Sequence, residues 1–600
     1  MNRHISSALW KALSTLAAPA LTLMMAVAWC PAAEPSESGI VGVPWPAADA
    51  LGRKAPLASE VGAVRPGRFV GIFYFLWHVG YCQRSELLQG PHDVSKILAR
   101  DPQALQKPDS PLWGPVGSYH YWGEPLYGYY NGVDRWVLRR HAQLLADAGI
   151  DTLIFDATNA ETYPEVWRAL CEVYVDLRKA GERTPQIAFM LNSGARQTAE
   201  RLYRDIYAPG RFKELWFRWQ GKPLLICDPA EAAPEWREFF TLRRAHWPFT
   251  MTNTPRAWHW EAVYPQPYGY ADDPATPEQV NVAVAQNLDY ETQGAVCMSQ
   301  GRGRGRGFHN GRQDSTRSAI EGGANFQEQW SRALALQPPF VMITSWNEWI
   351  AGRWHDAQRG YYFVDQFDPE YSRDTEPMRG GFGDNFLWQL IGNVRRYKGA
   401  APLPPASAAR SIRIPGDFNQ WQRVEPEFRD HTGEVAPRNC DGAGGLRYTN
   451  QTGRNDLLAF KVARDRKQLY FYARTVDPLT SPKGTNWMWL LLDTDQNATT
   501  GWHGYDYIVN RATDHRGRCW LERNTGGWHW ERVIELKREV KGNQLHLAIP
   551  RSALGLQRGN AARIDFKWAD NLAQPGDIMD FYLSGDVAPE GRFNYRYDAD

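Results

Sequence analysis

Phe340-Val341-Met342-Ile343-Thr344-Ser345-Trp346-Asn347-Glu348-Trp349-Ile350 begins as an apolar, β-rich run and ends abruptly with an acid between two indoles. The run reads as a strand buried on both faces, the pattern of a parallel sheet. Apolar walls disfavour the charged form of a carboxyl, raise its pKa and suit it to proton donation near neutrality. The competing reading of Glu348 is an interior acid paired with an arginine such as Arg353. Perturbed acids cluster at functional sites, which favours the chemical reading.

Outward from this stretch the same texture recurs. Strand-like runs fall at 68–78, 151–156, 186–191, 222–227, 249–252, 258–264 and 280–285 before the one at 340–345. Helical patterns fall at 134–149, 164–179, 198–207, 234–245, 326–336 and 385–397. Eight strands alternating with helices predict a (β/α)8 TIM-type barrel over 67–398. A doubly wound sheet is the alternative, but no Gly-rich phosphate turn follows the first strand. The residues that end the strands are Trp77-His78, Asp156, Asn192, Asp228, Asn253, Gln266, Gln286-Asn287 and Asn347-Glu348. Barrels carry their active sites at these C-terminal ends. Turns alone would be served equally well by Gly or Ser.

Hydrolysis of a glycosidic bond needs two flanking carboxyls, one protonated and one ionised. Glu348 and Asp156 are the pair expected to be catalytic. With one strand between them, a gap of roughly 7–10 Å is expected, nearer the inverting spacing. A salt bridge at the barrel mouth competes for Asp156. Glu124, in His120-Tyr121-Trp122-Gly123-Glu124-Pro125, is a third candidate acid, against which stands a loop-capping role. His120, Trp122, Glu124, Asn159, Asn192, Trp258, Gln266, Trp346 and Asn347 are expected to contact substrate, with Trp260, Tyr268 and Trp349 as further cleft aromatics. The run Gly301-Arg302-Gly303-Arg304-Gly305-Arg306-Gly307 reads as a flexible solvated loop or as a clamp on an acidic sugar, since arginine forks fit carboxylate and sulfate.

Residues 1–33 have the polar start, apolar core and small-residue end of a secretory signal, and 34–66 form an extended Pro/Ala/Gly lead-in. No later run is apolar and long enough to span a membrane. A secreted or periplasmic protein is therefore expected. The Pro/Ala-rich stretch 399–410 reads as a linker, and short alternating strands from 411 to 600 read as a β-sandwich. Its Asp493-Thr494-Asp495-Gln496-Asn497 lacks a full calcium loop and reads as a polar turn. Cys440 and Cys519 would be able to pair in an oxidising compartment. Charge nearly cancels, 68 basic against 67 acidic residues, so nothing global points to nucleic acid. The 27 Trp residues suit a protein that grips flat, amphipathic ligands, or one with two Trp-rich cores.

Thr344-Ser345-Trp346-Asn347-Glu348-Trp349 resembles the motif of family 99-like and family 71-like glycoside hydrolases. Leu492-Asp493-Thr494-Asp495-Gln496-Asn497 and Gly501-Trp502-His503-Gly504-Tyr505-Asp506-Tyr507 are similar to family 9-like carbohydrate-binding modules. The resemblance implies a barrel acting on α-linked glycans without a cofactor, and a sugar-binding sandwich. One departure stands out: the family 99 motif has a second Glu three residues after the first, and here that position is Ala351. Only Glu348 carries over. The expectation is a secreted glycoside hydrolase acting on a polysaccharide or other glycan, monomeric, with no nucleic acid partner, no stable membrane insertion, no cofactor and no metal. A noncatalytic glycan-binding protein and a glycosyltransferase of polysaccharide synthesis are the alternatives.

Overall fold

A computed structural model describes residues 39–78, 92–247, 253–511, 517–559 and 561–599. The expected signal segment lies outside them, apart from which no helix among the described residues is long and apolar enough to cross a membrane. Eight parallel strands make the N-terminal sheet: β1 (Phe69–Tyr74), β2 (Thr152–Ala157), β3 (Gln186–Leu191), β4 (Lys222–Ile226), β5 (Thr241–His246), β6 (Ala257–His259), β7 (Gln279–Val282) and β8 (Phe340–Ile343). Their hydrogen-bonded order is β7-β8-β1-β2-β3-β4-β5-β6. This is a nearly closed barrel whose β6–β7 seam has no backbone ladder among the described residues. A side chain bridges the seam. The Gln279 amide accepts from the His259 N–H at 2.9 Å and donates to the His259 carbonyl at 2.8 Å, standing where a peptide group would.

Helices cover the barrel unevenly. α1 (Arg135–Asp147), α2 (Pro164–Lys179) and α3 (Ala195–Leu202) follow β1, β2 and β3, α4 (Ala324–Leu336) precedes β8, and α5 (Asn385–Lys398) follows it. The helix expected over 234–245 is corrected to a single turn, Pro234–Arg237, followed by β5. Arg243-Arg244 suits a solvated helix face, yet Leu242 pairs with Leu225 of β4 and Arg243 turns inside to meet Glu278 at 2.5 and 2.8 Å. The strand expected at 249–252 lies outside the described residues, and β5 occupies its place in the barrel order.

Side-chain alternation sets what each face sees. Val70, Ile72, Tyr74, Leu153, Phe155, Ile187 and Phe189 pack outward against the helices. Phe73, Phe75, Ile154, Ala188, Met190, Leu224, Ile226, Trp258 and Phe340 fill the interior. Gly71 is required there: a Cβ would lie 2.6 Å from the Phe340 ring.

The C-terminal region is antiparallel. The long strand His529–Lys541 pairs along its first part with Cys519–Gly526 and along its last part with Gln544–Pro550, so one strand serves two layers. The layers share a core in which Phe471 meets Phe566 and Phe460 stacks on Trp568. Residues 39–600 form one compact unit. Buried ion pairs join β region to barrel: Arg140 to Glu434 at 2.6 Å, Arg438 to Asp134 at 2.7 Å and Arg592 to Asp384 at 2.5 Å. The lead-in straps both, with Trp45 packed on Phe428 and Tyr595 while Arg395 of α5 donates to its carbonyl. Cys440 and Cys519 are both free thiols, so the pairing considered for them is not made.

Candidate active site

The segment after β8 turns on four side chains with four different jobs. Trp346 points away from the barrel axis into the layer under the helices, its ring edge-on to His141. Asn347 extends the β1 ladder with its side chain, accepting from Phe75 N at 2.8 Å and donating to Phe75 O. Glu348 is thereby directed into a cavity of about 440 Å³ above the interior aromatics. Trp349 stacks on Trp122 with ring centroids 4.3 Å apart and donates to Glu376.

Asp156, Asn159, Asn192, Trp260 and Glu348 line this cavity together, with Trp77, Trp247, Asp365 and Arg373. Asp156 and Asn192 arrive by parity, two residues beyond the inward Ile154 and Met190. The Glu348 Oε2 accepts from Gln366 Nε2 at 2.7 Å and Arg373 Nη2 at 2.6 Å. Its Oε1 has no protein donor among the described residues and is not sealed from the cavity. Asp156 is arranged likewise: Oδ1 accepts from Thr158 N at 3.0 Å and Thr158 Oγ1 at 2.7 Å, and Oδ2 is left open. Burial raises the pKa of both carboxyls; Arg373 opposes this at Glu348, and the Thr158 donors oppose it at Asp156. β1 alone separates β8 from β2, so their axes lie roughly 9–10 Å apart.

The segment 372–376 holds this arrangement in place, and sequence reasoning missed it. Arg373 lies 4.6 Å over the Trp260 ring and also donates to Asn287. Asp374 takes Ser345 Oγ, Glu348 N and, at 2.7 Å, Trp122 Nε1. Thr375 donates to Ser345 O, and Glu376 N to Trp346 O. Glu261, next to Trp260 on the chain and buried behind Arg373, has its pKa pushed by burial to about 7. The sequence shows only density, five consecutive polar residues in Ser372-Arg373-Asp374-Thr375-Glu376; that all five are buried is decided by the fold.

The other expected contacts lie elsewhere. Trp258 sits deep in the barrel, donating to Glu278 and packed on Phe340. Gln266 is sealed outside the barrel wall, donating to Asn281 O and Gln329 O. His120 is buried against His92 and Phe363, its pKa lowered to about 3 by burial. Trp122 is covered by Trp349, and Glu124 pairs with Lys96 and Arg379. Tyr268 donates to Pro274 O. Arg353, the partner considered for Glu348, instead binds the Pro108 and Gly114 carbonyls. Ala351 packs in an apolar cluster with Trp113 and Phe363.

The Gly/Arg run is neither a solvated loop nor an open clamp. Arg304 donates to the Leu288 and Asp289 carbonyls, and Arg306 is fully buried beneath Trp122, Phe382 and Phe386 with its fork on Ser372 and Asp374 O. The glycines permit this approach: a Cβ on Gly307 would lie 2.0 Å from Asp314 O, and one on Gly305 2.8 Å from Glu370. Arg302 alone is half-exposed, on Asp289 and Glu291.

Fold and site together define a parallel-barrel protein with two half-held carboxylates in a cavity at the strand ends. No family model matches the sequence, and no curated protein matches it. Among solved structures, the chain is similar to two of the GH99 endo-alpha-mannosidase from Bacteroides thetaiotaomicron. One, with BIS-TRIS-propane, has TM-score 0.30 and 14% identity over 55% of this chain and 97% of that one. The other has TM-score 0.29 and 14% identity over 47% and 85%. Similarity at this level leaves the functional reading to the cavity itself.

Proposed function

We propose that this protein is a glycoside hydrolase in which Glu348 and Asp156 supply the acid/base pair. The observation that supports it is the shared geometry of two buried carboxylates on one cavity, each with one oxygen fixed by protein donors and the other presented to the open space. Burial holds the Glu348 pKa well above the usual carboxylate range, which suits it to hold the proton near neutrality, while the Thr158 donors oppose the rise at Asp156 and suit it to the base role. When one carboxyl protonates the glycosidic oxygen, the other takes the proton from water attacking the opposite face of the ring. Asp365 lies 3.7 Å from Arg373, so the guanidinium keeps a carboxylate neighbour when Glu348 is protonated. The strand spacing supports the wider, inverting arrangement. Trp77, Trp247 and Trp260 offer apolar faces to the sugar.

An α-linked substrate, export by the N-terminal segment and glycan binding by the β region belong to the same proposal. Neither described cavity draws a lining residue from the β region, so glycan binding there would tether a polymer away from the cleavage point. An acidic substrate is less well supported, since Arg304 and Arg306 are held by protein carbonyls. The test is reducing-sugar release from a panel of neutral and acidic, α- and β-linked polysaccharides, with NMR of the first-formed anomer. Release with inversion, lost in Glu348→Gln, is expected. Binding of a glycan with no release from any would instead favour the noncatalytic alternative.

A further inference from the structure

A second cavity, of about 460 Å³, adjoins the first at the ends of β3, β4 and β5. Asn192 and Trp247 line both. They are joined by a hydrogen bond from Trp247 Nε1 to Asn192 Oδ1 at 3.0 Å, so a single bridged pair is the partition. Trp247 also lies 5.2 Å from Trp260, which continues the aromatic surface into the first cavity.

The second cavity is lined by groups that suit hydroxyls. Asp228 ends β4 with the same inward parity as Asp156 and is paired with Arg244 at 3.0 Å. The Gln197 side chain, on α3, makes no protein hydrogen bond among the described residues, and the Asn192 amide nitrogen donates to none. His246 bonds Thr254 through Nε2, while its Nδ1 is buried without a partner. Asp228 and Arg244 cancel, as do Glu231 and Arg196 at 3.8 Å. An anionic ligand would find no unpaired positive charge among the described lining residues, whereas a neutral sugar finds donors, acceptors and an indole face.

We propose that the second cavity is a glycosyl subsite for a neutral sugar, and that the substrate is an oligosaccharide or polymer whose neighbouring units lie on either side of the Asn192–Trp247 bridge. This rests on the hydrolase reading for the first cavity. It assigns specificity for chain length to residues outside the acid/base pair.

The test uses the full chain carrying Glu348→Gln, titrated calorimetrically with neutral gluco-, manno- and xylo-oligosaccharides of one to six units. Affinity for the best-bound series is expected to rise about tenfold or more between one unit and the length that fills both cavities. Trp247→Ala and, separately, Gln197→Trp, which fills the second cavity from an exposed helix position, are each expected to remove that gain. No gain with length, absence of binding included, overturns the proposal, as does a gain that survives both variants. Sugar release by the unmodified chain is scored separately. Length-dependent binding that both variants abolish, without any release, removes the hydrolase reading and leaves the subsite standing; release without a length gain removes the subsite alone.

Discussion

The cavity wall and the layer directly behind it are built from the same material and do different things. Behind the wall, Asp374 has both oxygens taken, by Ser345 and Glu348 N on one side and Trp122 on the other. Glu376 likewise gives one oxygen to His141 and the other to Tyr130 and Trp349. At the wall, Glu348 and Asp156 each keep one oxygen free. All four acids are buried, so burial does not separate structural from chemical carboxylates. The free oxygen does, because an acceptor left unmatched beside open space is stable only if water or a ligand completes it.

The largest expected effect tests the wall. Glu348→Gln and Asp156→Asn preserve shape and are each expected to lower kcat by about 10²–10⁴-fold, with thermal stability retained or improved. Normal turnover in both folded variants would move the chemistry elsewhere. The layer behind should give the opposite signature. Asp374→Ala strips the partner from the Trp122 indole, the Ser345 hydroxyl and the Glu348 backbone, and should destabilise by about 3 kcal/mol or more in denaturant unfolding. Activity loss without destabilisation would place Asp374 in the chemistry instead.

Glu261 sharpens the comparison through pH. Its pKa is raised from 4.5 to about 7, burial outweighing the attraction of Arg373. The folded protein therefore holds a proton that the unfolded chain has already released between those values. The resulting stability is complete below 4.5 and disappears as pH rises through 7. Glu261→Gln removes this loss, so the Tm difference, variant minus wild type, should climb across that window and be level on either side. A difference that is flat throughout would mean that Glu261 stays ionised on Arg373. The smallest effect is expected at Arg302→Gln, whose half-exposed ion pairs should be worth no more than about 0.5 kcal/mol, with KM unchanged. Arg306→Gln, at the buried end of the same run, should be far more destabilising in the same unfolding assay.

The alternation of apolar runs was sufficient to read the barrel, because a strand buried on both faces must be apolar throughout. It failed at β5, where two arginines imitate a solvated helix face and only the Arg243–Glu278 pair inside the barrel makes a strand tolerable. Strand-end polarity was informative only where alternation continued past the strand. Asp156 and Asn192 follow inward residues and reach the cavity, whereas Trp346 shares the parity of the inward Phe340 and Met342 yet packs into the outer layer, beyond the end of β8, and Gln266 lies beyond the wall.

The amino-acid sequence by itself determined the barrel, the change to antiparallel strands, and the acid between two indoles at the end of β8, since each is a local pattern of hydropathy and residue type. Which oxygen of Glu348 is free, that Arg373 holds the other, that Asn347 substitutes for a stretch of ladder, and that two of the Gly/Arg arginines are buried were decided only by tertiary structure. These depend on contacts between residues far apart in the chain, Arg306 with Asp374 and Phe75 with Asn347 among them. Burial and hydrogen-bond satisfaction belong to the assembled surroundings of a side chain, and no periodicity along the chain encodes them.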